Sequence, residues 1–137
     1  GRTYGVTFAQ ENVNLMRSND AGFLRRMREY CGSGCAFVLD VKQAVREGGD
    51  PLALCRAMGD RLVHIHLNDN DSGSDCRLPG FGSMDYAPLL GQLAREGFTG
   101  DLIIEVYRKS FGGLEELAQA KKFAEKLISC RKNGNIP

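Results

Sequence analysis

Glu11, Asp40, His66 and Glu105 each stand at or near the end of an apolar run with strand character: residues 5–11, 36–40, 62–66 and 102–105. Successive members lie roughly 30 residues apart, about the length of one βα unit, and each run is followed by a helix-like segment. Parallel strands all point the same way, so residues at their C-terminal ends converge on one face. Three carboxylates and one imidazole gathered there suit a divalent metal with oxygen-rich coordination. The chain reads as a metal-dependent enzyme scaffold, and only part of one.

The elements that would carry these residues follow from periodicity and punctuation. A strand is expected over Tyr4–Gln10. Asn19 and Asp20 look like helix caps, and Phe23, Leu24, Met27 and Tyr30 recur with helical spacing. Gly32 and Gly34 precede a strand over Cys35–Val41, and a short helix follows over Gln43–Glu47. Asp50-Pro51 opens another helix, with Asp at the N-cap, Pro in the first turn and an apolar stripe of Leu52, Leu54, Cys55 and Met58. Arg61–Leu67 is the third strand. Residues 68–83 form a polar, Gly-rich loop long enough to suggest function. Asp85 caps a helix carrying Leu89, Leu90 and Leu93 and ending at Gly97. The fourth strand spans Leu102–Tyr107, and a last helix runs from Gly113 to about Arg131 before a frayed tail, Asn133–Pro137.

The order β-α-β-α-β-α-β-α, without linker or low-complexity segment, makes residues 1–137 one α/β domain with a parallel sheet and right-handed crossovers. Four βα units make either a small open sheet or half of an eight-stranded barrel. No Gly-rich phosphate fingerprint follows the first strand, and metal-type residues end all four strands rather than one switch point. Both observations favour the half barrel.

Composition excludes several classes. The chain has 137 residues, 42% hydrophobic and 26% charged, with a formal net charge of +1. That balance gives no electrostatic case for nucleic acid or a membrane surface, and no apolar run approaches transmembrane length. Nothing at the N-terminus resembles a signal peptide. The five cysteines, 31, 35, 55, 76 and 130, are odd in number, and Cys31 and Cys35 lack the second pair a zinc site needs. Reduced thiols in a cytoplasmic protein are the expectation.

Five short motifs in order carry a family resemblance: Glu11-Asn12; Leu39-Asp40-Val41-Lys42-Gln43-Ala44; His64-Ile65-His66-Leu67-Asn68-Asp69; Leu78-Pro79-Gly80-Phe81-Gly82-Ser83-Met84-Asp85; and Ile104-Glu105. At these positions the chain resembles the xylose-isomerase-like TIM barrels, the sugar phosphate isomerase/epimerase group. The resemblance covers nearly the whole chain and only strands five to eight of the (β/α)8 barrel, its C-terminal half. It implies that Glu11, Asp40, His66 and Glu105 bind one divalent ion, Mn²⁺ first, with Mg²⁺, Co²⁺ and Zn²⁺ as alternatives. It further implies that Glu11 and Glu105 move a proton, one from each side of the substrate carbon. The metal preference agrees with coordination chemistry: a hard or borderline cation takes carboxylates plus one imidazole and leaves room for a sugar's carbonyl and hydroxyl oxygens. Isomerisation, epimerisation and dehydration share the first enolisation, so these ligands do not choose among them.

Departures from the family pattern shape the rest. Gln43 stands where a His often follows the strand-six Asp; Gln still donates a hydrogen bond to substrate but is a poor metal ligand. The His-Leu-Asn-Asp stretch is also similar to a three-zinc DNA-repair endonuclease, yet two histidines in the whole chain cannot supply a trinuclear cluster. Arg77 is then read as a contact to an oxyanion or hydroxyl of a sugar or sugar phosphate. Lys42 reaches either the substrate or solvent. His64 shares the face of His66 by strand alternation. Asn12 and Asn68 either orient the ligands or satisfy loop backbone, Asp69 and Asp71 look like a solvated turn, and Gly80 and Gly82 serve backbone geometry. A half barrel leaves two sheet edges and an apolar interior exposed. Three explanations compete: a fragment of a longer enzyme, a homodimer or other self-association that closes the barrel, or an incompetent half-barrel module without turnover.

Overall fold

The computed structural model describes residues 2–46 and 48–132. The expected helix end at Glu47 and the expected fraying of Asn133–Pro137 lie outside them. Four strands, β1 (Ala9–Glu11), β2 (Ala36–Asp40), β3 (Leu62–Leu67) and a fourth over Asp101–Ile104, form one sheet whose spatial order follows chain order. Every neighbouring pair is parallel. An open doubly wound sheet reverses its order at a switch point; this one does not.

Five helices complete the units: α1 (Ala21–Cys31), α2 (Val41–Val45), α3 (Pro51–Met58), α4 (Ala87–Arg95) and α5 (Leu114–Lys132). Their starts follow local chemistry. The Asp20 carboxylate accepts from Phe23 N–H at 2.6 Å and the Asp50 carboxylate from Leu52 N–H at 2.8 Å, satisfying amides that the first turn leaves open. Asp85 stands one residue before the N-cap position of α4 and accepts from Ala87 N–H. Tyr30 leaves the expected stripe of α1: six residues from Leu24 is about 240° around a helix at 3.6 residues per turn, and Tyr30 is 93% exposed while Leu24 is fully buried.

Strand alternation divides the sheet into two unlike faces. Phe37, Leu39, Ile65 and Leu67, with Leu102 and Ile104 beside them, pack into one core with Leu24, Leu54, Met58, Leu89, Leu93 and Leu127. The other parity carries Glu11, Val38, Asp40, His64, His66 and Ile103, and on that face Ile103 is 51% exposed. Helices on one face and an uncovered second face, with strands in sequential order, match a segment cut from a β/α barrel.

Three expectations need correction. The strand foreseen over Tyr4–Gln10 is confined to Ala9–Glu11, because β2, its partner, begins only at Ala36; Arg2–Tyr4 is a 3₁₀ turn, and Phe8 is 77% exposed. The fourth strand stops at Ile104, although Glu105 N–H still donates to Leu67 C=O at 3.1 Å. Residues 68–83 are not merely a loop. They hold an antiparallel hairpin, β4 (Asp69–Asp71) and β5 (Ser74–Arg77), which makes Asp101–Ile104 strand β6.

Asp69 is likewise no solvated turn residue. It is 2% exposed, and its carboxylate accepts from the backbone N–H groups of Asn70, Gly80 and Met84 at 2.8, 3.0 and 2.9 Å. One side chain thereby folds the segment after β3 onto itself. Gly82 is required there, since a Cβ would stand 2.4 Å from Asp69 Oδ1, and Gly80 has φ +84° against the Phe123 ring.

Candidate metal centre

β1, β2, β3 and the end of β6 deliver Glu11, Asp40, His66 and Glu105 to one point: a ligand atom from each lies within 4.8 Å of all the others. The register explains the convergence. Asp40 pairs with His66 across β2 and β3, Glu11 sits one row lower opposite Val38, and Glu105 follows the last residue of β6. All four belong to the face that no helix covers.

His66 occupies the middle. Its Nδ1 lies 2.6 Å from Glu105 Oε2, 3.3 Å from Glu11 Oε1 and 3.8 Å from Asp40 Oδ2. Asp40 is fully buried and divides its carboxylate: Oδ1 accepts from Gln43 N–H at 3.1 Å, capping α2, while Oδ2 faces the cluster. Asn12, also fully buried, holds the Asp40 backbone from both sides. Its Nδ2 donates to Asp40 C=O at 2.9 Å, and its Oδ1 accepts from Asp40 N–H at 2.7 Å. A side-chain amide thus continues the β1–β2 ladder past its last paired residue and fixes the direction of Asp40. Both bonds go to backbone groups, so Asn12 satisfies the strand end that carries the Asp40 carboxylate.

Lys42 is not in solvent. Its side chain is 4% exposed, and Nζ sits 3.3 Å from both Asp40 Oδ2 and Glu105 Oε1. Burial, the largest influence, pulls its pKa down, but the two carboxylates outweigh it, so the ammonium titrates above its ordinary range. Glu105 is divided like Asp40, with Oε1 toward Lys42 and Oε2 toward His66.

A divalent cation fits this donor set. Asp40 Oδ2, His66 Nδ1 and Glu105 Oε2 are all buried, and none makes a directed hydrogen bond within the protein. Buried polar atoms are rarely left so, and three together around one point match donors turned toward a shared ion. Three carboxylates and an imidazole are the ligand types of a hard or borderline divalent metal.

Glu11 is more open. Its pKa is raised, first by burial and then by the Asp40 and Glu105 charges, against a lowering by His66. In the metal-free chain, a carboxyl raised above its ordinary 4.5 stabilises the fold fully below that pH, and the contribution is lost as pH rises through the raised value. Glu11→Gln should therefore raise the urea midpoint of the metal-free chain at pH 7 and leave it nearly unchanged at pH 4. Equal shifts at both pH values would show that charge is not the cause.

The remaining candidates divide. His64 shares the inner face, its ring edge-on to His66 with centroids 5.2 Å apart. Gln43 Oε1 accepts from Asn14 N–H at 3.1 Å, which ties the start of α2 to the loop after β1. Arg77 forms an ion pair with Asp71 inside the hairpin, and no described contact brings it to the cluster. Asn68 is fully buried with neither side-chain amide atom hydrogen-bonded to protein. Sequence reasoning missed Arg46 and Tyr107: Arg46 Nη2 donates to Tyr107 Oη at 2.9 Å, and its guanidinium pairs with Asp75. An Arg just after a helix gave no pattern that distinguished it from a surface charge.

A singly wound parallel sheet, with helices on one face and metal-type donors at its C-terminal edge, defines the class of β/α-barrel proteins. Within that class, the chain belongs to the xylose isomerase-like TIM barrel family, whose model matches residues 1–130. Among curated relatives, an uncharacterized protein of Mycobacterium tuberculosis is 32% identical over 99 residues, covering 68% of this chain and 35% of that protein. The rhizopine catabolism protein MocC of Rhizobium meliloti is 30% identical, covering 74% and 36%. An inosose dehydratase of Salmonella typhimurium is 25% identical, covering 90% and 44%. The chain thus spans about 35–44% of the length of these relatives. Among solved structures, a D-tagatose 3-epimerase-like protein superposes with TM-score 0.74 at 18% identity, covering 97% of this chain and 51% of that one. A D-psicose 3-epimerase superposes with TM-score 0.71 at 18% identity, covering 95% and 50%. These two establish likeness of fold.

Proposed function

We propose that the chain is the metal-binding half of a sugar or sugar phosphate isomerase or epimerase, corresponding to barrel strands five to eight. The observation that carries this reading is the convergence of Glu11, Asp40, His66 and Glu105, three of whose buried donor atoms face one another without a directed hydrogen bond. These four residues would hold one divalent ion, Mn²⁺ in the first place. When bound, such an ion polarises a ligated carbonyl and acidifies the neighbouring C–H.

The chain's own groups do the rest. Glu11 and Glu105 stand on opposite edge strands, β1 and the end of β6, so each reaches a substrate carbon between them from its own side. One carboxylate takes the proton and the other returns it, which is the geometry an epimerisation needs. In this reading the ammonium of Lys42, already beside Asp40 and Glu105, gives its remaining N–H to a substrate oxygen at the cluster. Gln43 offers its amide nitrogen, its oxygen being engaged by Asn14. Arg77 contributes to substrate binding only after releasing Asp71.

The uncovered inner face, with Ile103 half exposed, requires a cover. The other half of a full barrel or a second copy of this chain would supply it. The same exposed face favours a second reading, a half barrel that binds metal without turnover. Four free cysteines among the described residues suit a reducing compartment such as the cytoplasm.

The test is exchange. The Mn²⁺-loaded chain is incubated with a ketose in D₂O, and loss of the proton next to the carbonyl is followed by NMR. Exchange that Glu105→Gln removes supports the catalytic reading. A chain that binds the ion and exchanges nothing belongs to the second.

A further inference from the structure

Beside the metal-type cluster, three cations crowd one phenol ring. Lys42 Nζ lies 5.2 Å, the Arg46 guanidinium 5.5 Å and Lys109 Nζ 5.8 Å from the centre of Tyr107. They come from separate places: α2 and the residue that follows it, and the 3₁₀ turn Arg108–Ser110 after β6. Tyr107 itself follows Glu105 by two residues and is 40% exposed, so this group stands at the mouth of the centre. We propose that Arg46, Tyr107 and Lys109 form an anion subsite, and that the molecule accepted here is a sugar carrying an anionic group. This rests on the sugar reading above for the identity of the ligand, though not for the existence of the subsite.

Charge balance carries the argument. In the metal-free chain Lys42 is matched by Asp40 and Glu105, and Arg46 by Asp75. A divalent ion on the cluster claims the same carboxylates. Taken together, Glu11, Asp40, Glu105 and Asp75 then no longer balance the ion with Lys42, Arg46 and Lys109, and the mouth is left with one net positive charge. A neutral sugar would leave that charge unmatched beside the half-exposed Tyr107, whereas an anion completes it and is drawn in by the field.

Geometry agrees. The Arg46 guanidinium is held by Asp75 through Nε and by Tyr107 Oη through Nη2, so Nη1 is presented in a fixed direction. Lys42 links the two places, with Nζ 3.3 Å from Asp40 Oδ2 and Glu105 Oε1 and 5.2 Å from the centre of Tyr107. A sugar whose carbonyl lies at the cluster would turn its terminal phosphate or carboxylate toward Arg46 and Lys109.

Calorimetry with inorganic phosphate, on the chain with and without one equivalent of Mn²⁺, tests the subsite. Phosphate should bind the Mn²⁺-loaded chain and only weakly the ion-free one, where Lys42 and Arg46 are already matched by carboxylates. Arg46→Gln and Lys109→Gln should each weaken it about tenfold without changing Mn²⁺ affinity. The described contact of Lys109 is with the Tyr107 ring and not with the hairpin, so its variant answers even if loss of Arg46 loosens the hairpin. Phosphate binding that neither variant alters, or that wild type lacks, overturns the subsite. The ligand class is read with the Mn²⁺-loaded chain: D-fructose 6-phosphate or D-galacturonate should bind at least about tenfold more tightly than D-fructose, the better of the two identifying the anion. Equal binding of D-fructose overturns the anionic class and leaves the sugar reading standing. A chain that takes no Mn²⁺ and no sugar, yet loses phosphate in the two variants, fails the sugar reading and keeps the subsite.

Discussion

His66→Ala should reduce Mn²⁺ binding from one ion per chain to none detectable by calorimetry, a loss of at least about 100-fold in affinity. The expectation follows from position. His66 Nδ1 lies within 3.8 Å of a carboxylate oxygen of all three acidic partners, so its removal deletes the donor that the others surround. What remains is three carboxylates with one lysine, a set too open to fix a borderline cation. The fold should survive, because the His66 side chain is 23% exposed on the uncovered face and does not enter the core packed by the helices. A urea midpoint near that of wild type separates loss of the site from loss of the structure. His64→Ala is the internal control: its ring touches His66 edge-on and reaches no carboxylate of the cluster. That variant should keep stoichiometric binding with only a small fall in affinity. Equal losses in the two variants would mean that the face, rather than the four donors, makes the site.

The convergence of the four candidate ligands was legible because strand alternation and βα spacing are both carried by sequence. A charged residue closing an apolar run has few ways to be stable unless it faces a partner or an ion. Asp40 is the clearest case, fully buried and satisfied through a cap, an amide ladder and a lysine. Residues 68–83 were less legible. Their Gly and Asp content signals turns, but which carboxylate gathers the turns depends on contacts over 11 and 15 residues, from Asp69 to Gly80 and Met84. Composition alone cannot distinguish such an organiser from Asp71, which pairs with Arg77 at the turn of the hairpin. The short first strand was hidden for another reason. Val6 and Phe8 alternate correctly, but an edge strand extends only as far as its neighbour does, and β2 begins at Ala36. Lys42 shows the limit on side chains. Its position two residues beyond Asp40 was evident, yet its burial between two strand ends is a property of the assembled sheet.

That burial makes Lys42→Met the variant with the largest expected effect on stability. Methionine keeps the apolar stem and removes the charge, leaving Asp40 fully buried with no cation beside it. Breaking one partner of a buried pair costs about 3–5 kcal/mol, a large share of the stability of a domain of this size. In EDTA the urea midpoint of Lys42→Met should therefore fall well below that of wild type. Mn²⁺ should then raise the midpoint of the variant more than that of wild type, because an ion on Asp40 Oδ2 and Glu105 Oε2 supplies the positive charge that the lysine provided, and ligand binding stabilises in proportion to its affinity. The affinity itself should rise in the variant, since a cation no longer sits 3.3 Å from two of the ligands. A destabilisation that Mn²⁺ leaves untouched would assign Lys42 to packing alone, and weaker Mn²⁺ binding would show that the lysine positions Glu105 more than it repels the ion. The expected pair of results, a weaker metal-free fold and a tighter site, has one physical source: Lys42 and the divalent ion neutralise the same two carboxylates.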